Sequence, residues 1–357
     1  MKWAALLWLI VNSALYSRNG IKIVADSERY LEYGRGLLNG FYFDSHNFWY
    51  IGYSLFVGLL RDVNLIVIAQ YIMSLGAVLA LYQASFHLFR SPKSALISCV
   101  LFLVFVDISS WNSYVLAESL YTSFICFSIY GLVLLSQGER RPVMNIMIPV
   151  IIMFAAIIKP TGIAILGAIA AVFAFRRPWS IALVAILFCL LINRMLTTYL
   201  VIENYQSGEI IYAVKTTPVE GLALTPPEET YVPPSSYPPA IRIVLFIFHH
   251  PVYWINLFFH KVFSLLSNTR PFWSVRHNLF SAAILLLSYA AFIAGIRSKI
   301  ISRDLVIFAI TFLSIHVLSV GITSDDWDGR FLIPMLPVIF IFSGHGLATW
   351  RYRKITE

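Results

Sequence analysis

Ala25-Asp26-Ser27-Glu28-Arg29-Tyr30 follows the first apolar run of the chain, Trp3 to Tyr16, and opens a segment that reaches Phe41. In that segment Tyr30, Tyr33, Leu37, Leu38 and Phe41 recur at helical spacing, while Glu28, Arg29, Glu32, Arg35 and Asn39 take the opposite side. This distribution predicts an amphipathic helix lying in a membrane interface, not crossing it. An acidic pair and a surface helix are thus delivered to one membrane face at the start of the protein. The run at 3–16 fits a first span, and also a short signal peptide with small residues near Ser13-Ala14. In both cases Asp26 lands outside.

The composition supports the membrane setting. Hydrophobic residues make up 59% of the 357-residue chain and charged residues 12%, against about 25% charged in an ordinary soluble domain. Mean hydropathy is +0.77. One crossing needs roughly 20 apolar residues, so about ten fit. The expected architecture is an all-α polytopic bundle forming a single membrane domain over 1–357, with interfacial helices in a first outer loop at 17–62 and a long outer loop at 203–278. After a short aromatic helix from Phe48 to Leu60 that ends at Arg61-Asp62, further spans are expected at Asn64 to Phe89, Ala95 to Ser109, Tyr114 to Leu135, Val143 to Ile158, Gly162 to Phe175, Trp179 to Ile202, Leu279 to Ile296, Leu305 to Gly321 and Phe331 to Trp350. Cys99, Cys126 and Cys189 all lie within apolar runs and read as small core residues.

Sorting charges into alternate loops orients the bundle. One side collects Lys2, Arg90, Lys93, Arg140, Arg141, Arg176, Arg177, Arg297, Lys299, Arg303, Arg351, Arg353 and Lys354, and is cytoplasmic by the positive-inside rule. The same sorting accounts for the net charge of +8 without a nucleic-acid partner. The other side receives nearly every carboxylate, including Asp26, Glu28, Asp44, Glu118, Glu203, Asp325, Asp326 and Asp328, together with the long connections. The chemistry is therefore expected on the outer face.

The longest connection begins with Thr217-Pro218, Pro226-Pro227, Pro233-Pro234 and Pro238-Pro239, which favour an extended cover. It turns apolar and aromatic from Ile241 to Leu266, where one or two interfacial helices, or a further crossing, are expected. His249, His250 and His260 lack zinc-ligand spacing and read as structural, so a divalent metal is not indicated and the cofactor is left open.

Asp26-Ser27 before a Tyr-rich helix, Ile51-Gly52-Tyr53-Ser54-Leu55-Phe56, Ala117-Glu118-Ser119-Leu120-Tyr121, Lys159-Pro160-Thr161-Gly162 and Gly329-Arg330-Phe331-Leu332-Ile333-Pro334 follow one another in order. In that order the series resembles the GT-C superfamily of integral-membrane glycosyltransferases, in particular bacterial members that are dolichyl-phosphate-mannose-protein mannosyltransferase-like or aminoarabinose-transferase-like. The resemblance implies transfer of a sugar from a polyprenyl-phosphate donor to a lipid, glycan or protein acceptor outside the cytoplasm, in a bacterial inner membrane, with Asp26 at the position of the catalytic acid residue of the first outer loop. Many of these enzymes carry a basic residue and prolines before the Gly-Tyr pair, where this chain reads His46-Asn47-Phe48-Trp49-Tyr50-Ile51.

The chemistry asks for the same residue types. Displacing a lipid phosphate from an anomeric carbon needs a base beside the acceptor hydroxyl and cations facing the departing phosphate. Asp26 is the candidate base, with Glu28 or Glu118 as a second carboxylate. Arg330 is the candidate phosphate grip, helped by Lys159, Lys261, Arg270 or Arg276, because a guanidinium pairs with two phosphate oxygens. Each residue also has a plainer role. Asp26 fits a helix N-cap, Glu118 inside an apolar run needs a partner, Lys159 and Arg270 can snorkel to headgroups, and Arg330 can neutralise Asp325, Asp326 or Asp328. A transporter or flippase of lipid-linked or small polar cargo is the alternative function. It would show broken helices with polar midplane sites, and only His316 and His345 lie well inside expected spans.

Overall fold

The computed structural model describes residues 1–40, 44, 47–138, 142–177, 190–191, 194, 212–215, 223–226, 229–323 and 328–353. Nearly all of the expected span Trp179 to Ile202, part of the first half of the long loop, and Phe41, Cys189, Glu203, Asp325 and Asp326 lie outside the described residues. The described residues are helical, with no β-strand beyond isolated bridges.

Among the described residues five helices are long and apolar enough to cross a membrane: α4 (Val63–Phe89), α7 (Ala117–Ser136), α12 (Val275–Ile296), α13 (Arg303–Ile322) and the segment Ile333–Trp350, which takes in most of α14 (Leu336–Arg353). Two bent pairs raise the number to seven if each is one span. They are α5 (Pro92–Val104) with α6 (Val106–Ser110) and its extension, bent by 63°, and α10 (Pro239–His249) with α11 (Pro251–Ser267), bent by 113°. α1 (Lys2–Asn19), α8 (Pro142–Ile158) and α9 (Ile163–Arg176) coincide with three shorter expected spans.

Local signals in the sequence fix the helix ends. Asp62 Oδ1 accepts from Leu65 N at 3.0 Å to start α4, and Ser91 Oγ accepts from Ser94 N at 3.1 Å, with Pro92 next to it, to start α5. Small residues set the closest crossings. Gly295 of α12 faces the Phe342 carbonyl of α14, and Gly346 of α14 faces the Ala291 carbonyl of α12, so a side chain at either glycine would meet backbone. The segment Ile333–Trp350 is 78% buried and forms the centre of the bundle, whereas α12, at 28%, sits at its edge.

The amphipathic segment is a helix, α2 (Ala25–Asn39), which buries Ser27, Tyr30, Tyr33 and Gly34. It packs on α3 (Ile51–Leu60) with Gly34 directly against Gly58 and the Ser54 carbonyl. The expected span from Ala95 to Ser109 is bent by 63°. Helix α5 stops at Phe105, where ψ is 78°, and the chain turns into the polar run Asp107 to Ser113. Ser, Asp and Asn side chains compete for backbone partners, so a helix running into them turns readily.

A buried polar network holds that turned segment. Gln70 Nε2 donates to the Asn112 and Tyr114 carbonyls at 3.1 and 2.8 Å, and Asn112 Nδ2 donates to Asn12 Oδ1 at 2.8 Å and to Ser74 Oγ at 3.0 Å. Two backbone bonds, Lys22 N to Ser113 O at 2.9 Å and Val115 N to Lys22 O at 3.1 Å, then clip it to the strip leading into α2. The start of α2 and the bend after α5 are thereby fixed side by side.

Candidate active site

Where these two segments meet Gly329-Arg330, a cavity of about 760 Å³ opens, lined among others by Asp26, Asp107, Trp111, Trp273, His277 and Arg330. Asp26 sits in the first turn of α2 and does not cap it. Ser27 Oγ does that work, accepting from Val24 N at 3.0 Å. The Asp26 carboxylate is left to turn outward, where Oδ2 accepts from Arg330 Nη1 at 3.0 Å and Oδ1 forms an ion pair with Arg29 Nη2 at 3.1 Å. The Asp26–Arg330 contact joins residues 304 positions apart.

Arg330 is itself cradled by carboxylates. Its backbone N–H donates to Asp328 Oδ1 at 3.2 Å, and its Nε lies 3.7 Å from the same oxygen. Burial alone would lower the guanidinium pKa. Glu118, Asp328, Tyr50 and Asp26 more than reverse that, so Arg330 is held above its ordinary value. Arg29 behaves alike, with burial outweighed by Tyr30, Tyr50 and Asp26. The Arg29 guanidinium also lies over the Tyr30 and Tyr50 rings, at 5.0 and 5.3 Å.

Gly329 makes this approach possible. It has a φ of +81°, and a Cβ there would collide with Asn268 Oδ1 and lie 3.2 Å from the Trp273 ring. Asn268 ends α11 in the left-handed conformation and points its Nδ2 at Asp107 Oδ2, 3.0 Å away. The other oxygen of Asp107 accepts from His277 Nε2 at 3.0 Å. His277 is set by the start of α12, where Ser274 Oγ accepts from His277 N at 3.2 Å. Asp107, Asn268, Trp273 and His277 carry no mark in the sequence reading. The available signals were an aspartate at the end of an apolar run and the Ser274-x-x-His277 helix start.

The other sequence candidates separate by location. Glu118 and Lys159 form a buried ion pair at 2.9 Å, with Lys159 Nζ 5.3 Å from the centre of the Phe331 ring. Glu118 therefore has the partner that its position in an apolar run demands, and its charge reaches Arg330. Glu28 is exposed on the first turn of α2 and does not line the cavity. Lys261 is buried in α11 and donates to the Thr323 carbonyl. Arg270 is buried behind Trp273, whose ring centre lies 5.4 Å away, and its Nη1 donates to the Ser264 and Thr269 carbonyls at 2.7 and 3.0 Å. Arg276 is exposed. Among the described residues no cluster of three or more His, Cys, Asp or Glu side chains is arranged to hold a metal ion.

A carboxylate half-open to a polar cavity, with a guanidinium 3.0 Å from it, can accept a proton and stabilise a phosphate oxyanion at one place. No protein-family model matches this chain, and no curated protein or solved structure matches it either.

Proposed function

We propose that this chain is a multi-span membrane glycosyltransferase that moves a sugar from a polyprenyl-phosphate donor to an acceptor on the non-cytoplasmic face. One observation carries the reading: Asp26 and Arg330, assigned from sequence to complementary chemical roles, touch on the wall of one polar cavity. In the proposed step Asp26 takes the proton of an acceptor hydroxyl as its oxygen bonds to the anomeric carbon. The bond from that carbon to the phosphate oxygen breaks, the phosphate leaves with the electron pair, and Arg330 meets the charge that grows on it. Glu118–Lys159 is assigned a supporting place behind Arg330.

The ten-span arrangement, in a bacterial inner membrane, belongs to the same proposal. It is supported, among the described residues, by the five long apolar helices, by the bent pair α5–α6 and by α1, α8 and α9, which fall on nine of the ten expected spans, and by the separation of Arg176–Asp304 from the carboxylate-lined cavity. An apolar groove of about 380 Å³, lined by Phe48, Trp49, Ile51, Met153 and Ile157 among others, offers the donor's isoprenoid chain a surface.

Transport is favoured by one feature, the two bent helix pairs. The protein reconstituted in vesicles with radiolabelled polyprenyl-phosphate sugars separates the two. Transfer predicts release of free polyprenyl phosphate and a new glycosidic bond. Movement of the labelled lipid across the bilayer with no bond made would overturn the proposal.

A further inference from the structure

The outer cavity holds more than the Asp26–Arg330 pair needs. Resting on the transfer reading above, we infer that its remaining part is an acceptor subsite built for a neutral carbohydrate, with Trp273 as the stacking wall and the Asp107–His277 pair as the hydroxyl-binding floor. Three observations carry the inference.

The first is the wall. Trp111, Tyr114, Phe272 and Trp273 all line this cavity, interleaved with Asp107 and His277. A pyranose presents an apolar face of C–H groups and an equatorial rim of hydroxyls. Flat rings beside fixed hydrogen-bonding groups match both. Two largely apolar grooves elsewhere, one between α1 and α4 and one beside α8, have aromatic rings but no carboxylate in their linings.

The second is the charge. Among the described residues Asp26, Asp107 and Asp328 line the cavity against one guanidinium, that of Arg330. With Arg330 assigned to the donor phosphate, the rest of the site repels a second anion, so an uncharged acceptor fits better than a phosphorylated lipid.

The third is preorganisation. Asn268 fixes one oxygen of Asp107 and His277 the other, each at 3.0 Å, and Ser274 fixes the start of the helix that carries His277. Trp273 stands edge-on to the His277 ring, with centroids 4.6 Å apart. A group so held meets a ligand without reorganising.

The test uses the full chain in nanodiscs on an array of immobilised neutral oligosaccharides, beside arms of phosphatidylglycerol vesicles and of unglycosylated peptides. The inference predicts binding to at least one class of neutral glycan. That binding should weaken about tenfold or more, roughly 1.4 kcal/mol, in Trp273→Ala and in His277→Ala, and be kept largely in Trp273→Phe. Thermal melting curves confirm that each variant is folded. Binding to none of the glycans, equal binding by all variants, or capture only by vesicles or peptides overturns it. A separate arm measures polyprenyl-phosphate binding by the wild type. Loss there removes the transfer reading, while loss in the glycan arm alone removes only the acceptor assignment.

Discussion

The chain pairs a carboxylate with a cation in two neighbouring places, and burial separates their uses. Glu118 and Lys159 are 5% and 2% exposed, while Asp26 and Arg330 are 35% and 26% exposed. In the buried pair each charge is the other's nearest partner, so removing one leaves the other without its hydrogen-bonded counter-charge. In the half-open pair the contact adds little stability, about 0–1 kcal/mol, and both groups still face a space that a ligand can enter. Like chemistry thus serves as scaffold in one place and, in the proposed transfer, as reagent in the other.

The contrast can be broken by substitution, beginning with the largest effect. Asp26→Asn keeps the shape of the side chain and removes the base, so the proposed transfer should fall by about 10²–10⁴-fold with the thermal midpoint nearly unchanged; enzyme assays alongside melting curves check this. Lys159→Met should do the reverse, costing about 3–5 kcal/mol of stability by leaving Glu118 unpaired. Pairing it with Glu118→Leu should restore most of that stability, as read in denaturant or thermal unfolding.

Gly329→Ala tests the link between the two regions. A side chain at a φ of +81° facing Asn268 should cost about 1–2 kcal/mol from backbone strain alone, and should slow transfer by displacing Arg330. The smallest effect concerns pH. Because Arg330 is held above its ordinary value, its contribution is fully present below that value and is lost only as pH rises through the still higher folded value. A rate profile up to about pH 9 should therefore show no loss assignable to Arg330.

Two residues of the candidate site, Asp26 and Arg330, were legible because they sit where sequence alone is informative. Asp26 opens an amphipathic helix directly after an apolar run, and Arg330 stands before the last one, so both reveal themselves as charges at the ends of spans. Glu118 announced its need for a partner by its surroundings, although nothing in the sequence chose Lys159 over other cations. Asp107 could not be read. Its place depends on the 63° bend after α5 and on Gln70 and Asn12 holding the turned segment, contacts made across long sequence separations. Arg270 and Lys261 looked available as free cations, but helix-end carbonyls at 264, 269 and 323 bind them, and such pairing follows from chain packing.

The most direct test of the central claim is a double-mutant cycle on turnover, comparing Asp26→Asn, Arg330→Gln and the two together in folded protein. If the pair acts as one unit on one reaction, the double variant should be scarcely slower than the slower single variant. Losses that multiply independently, or turnover that survives both substitutions, would contradict the account.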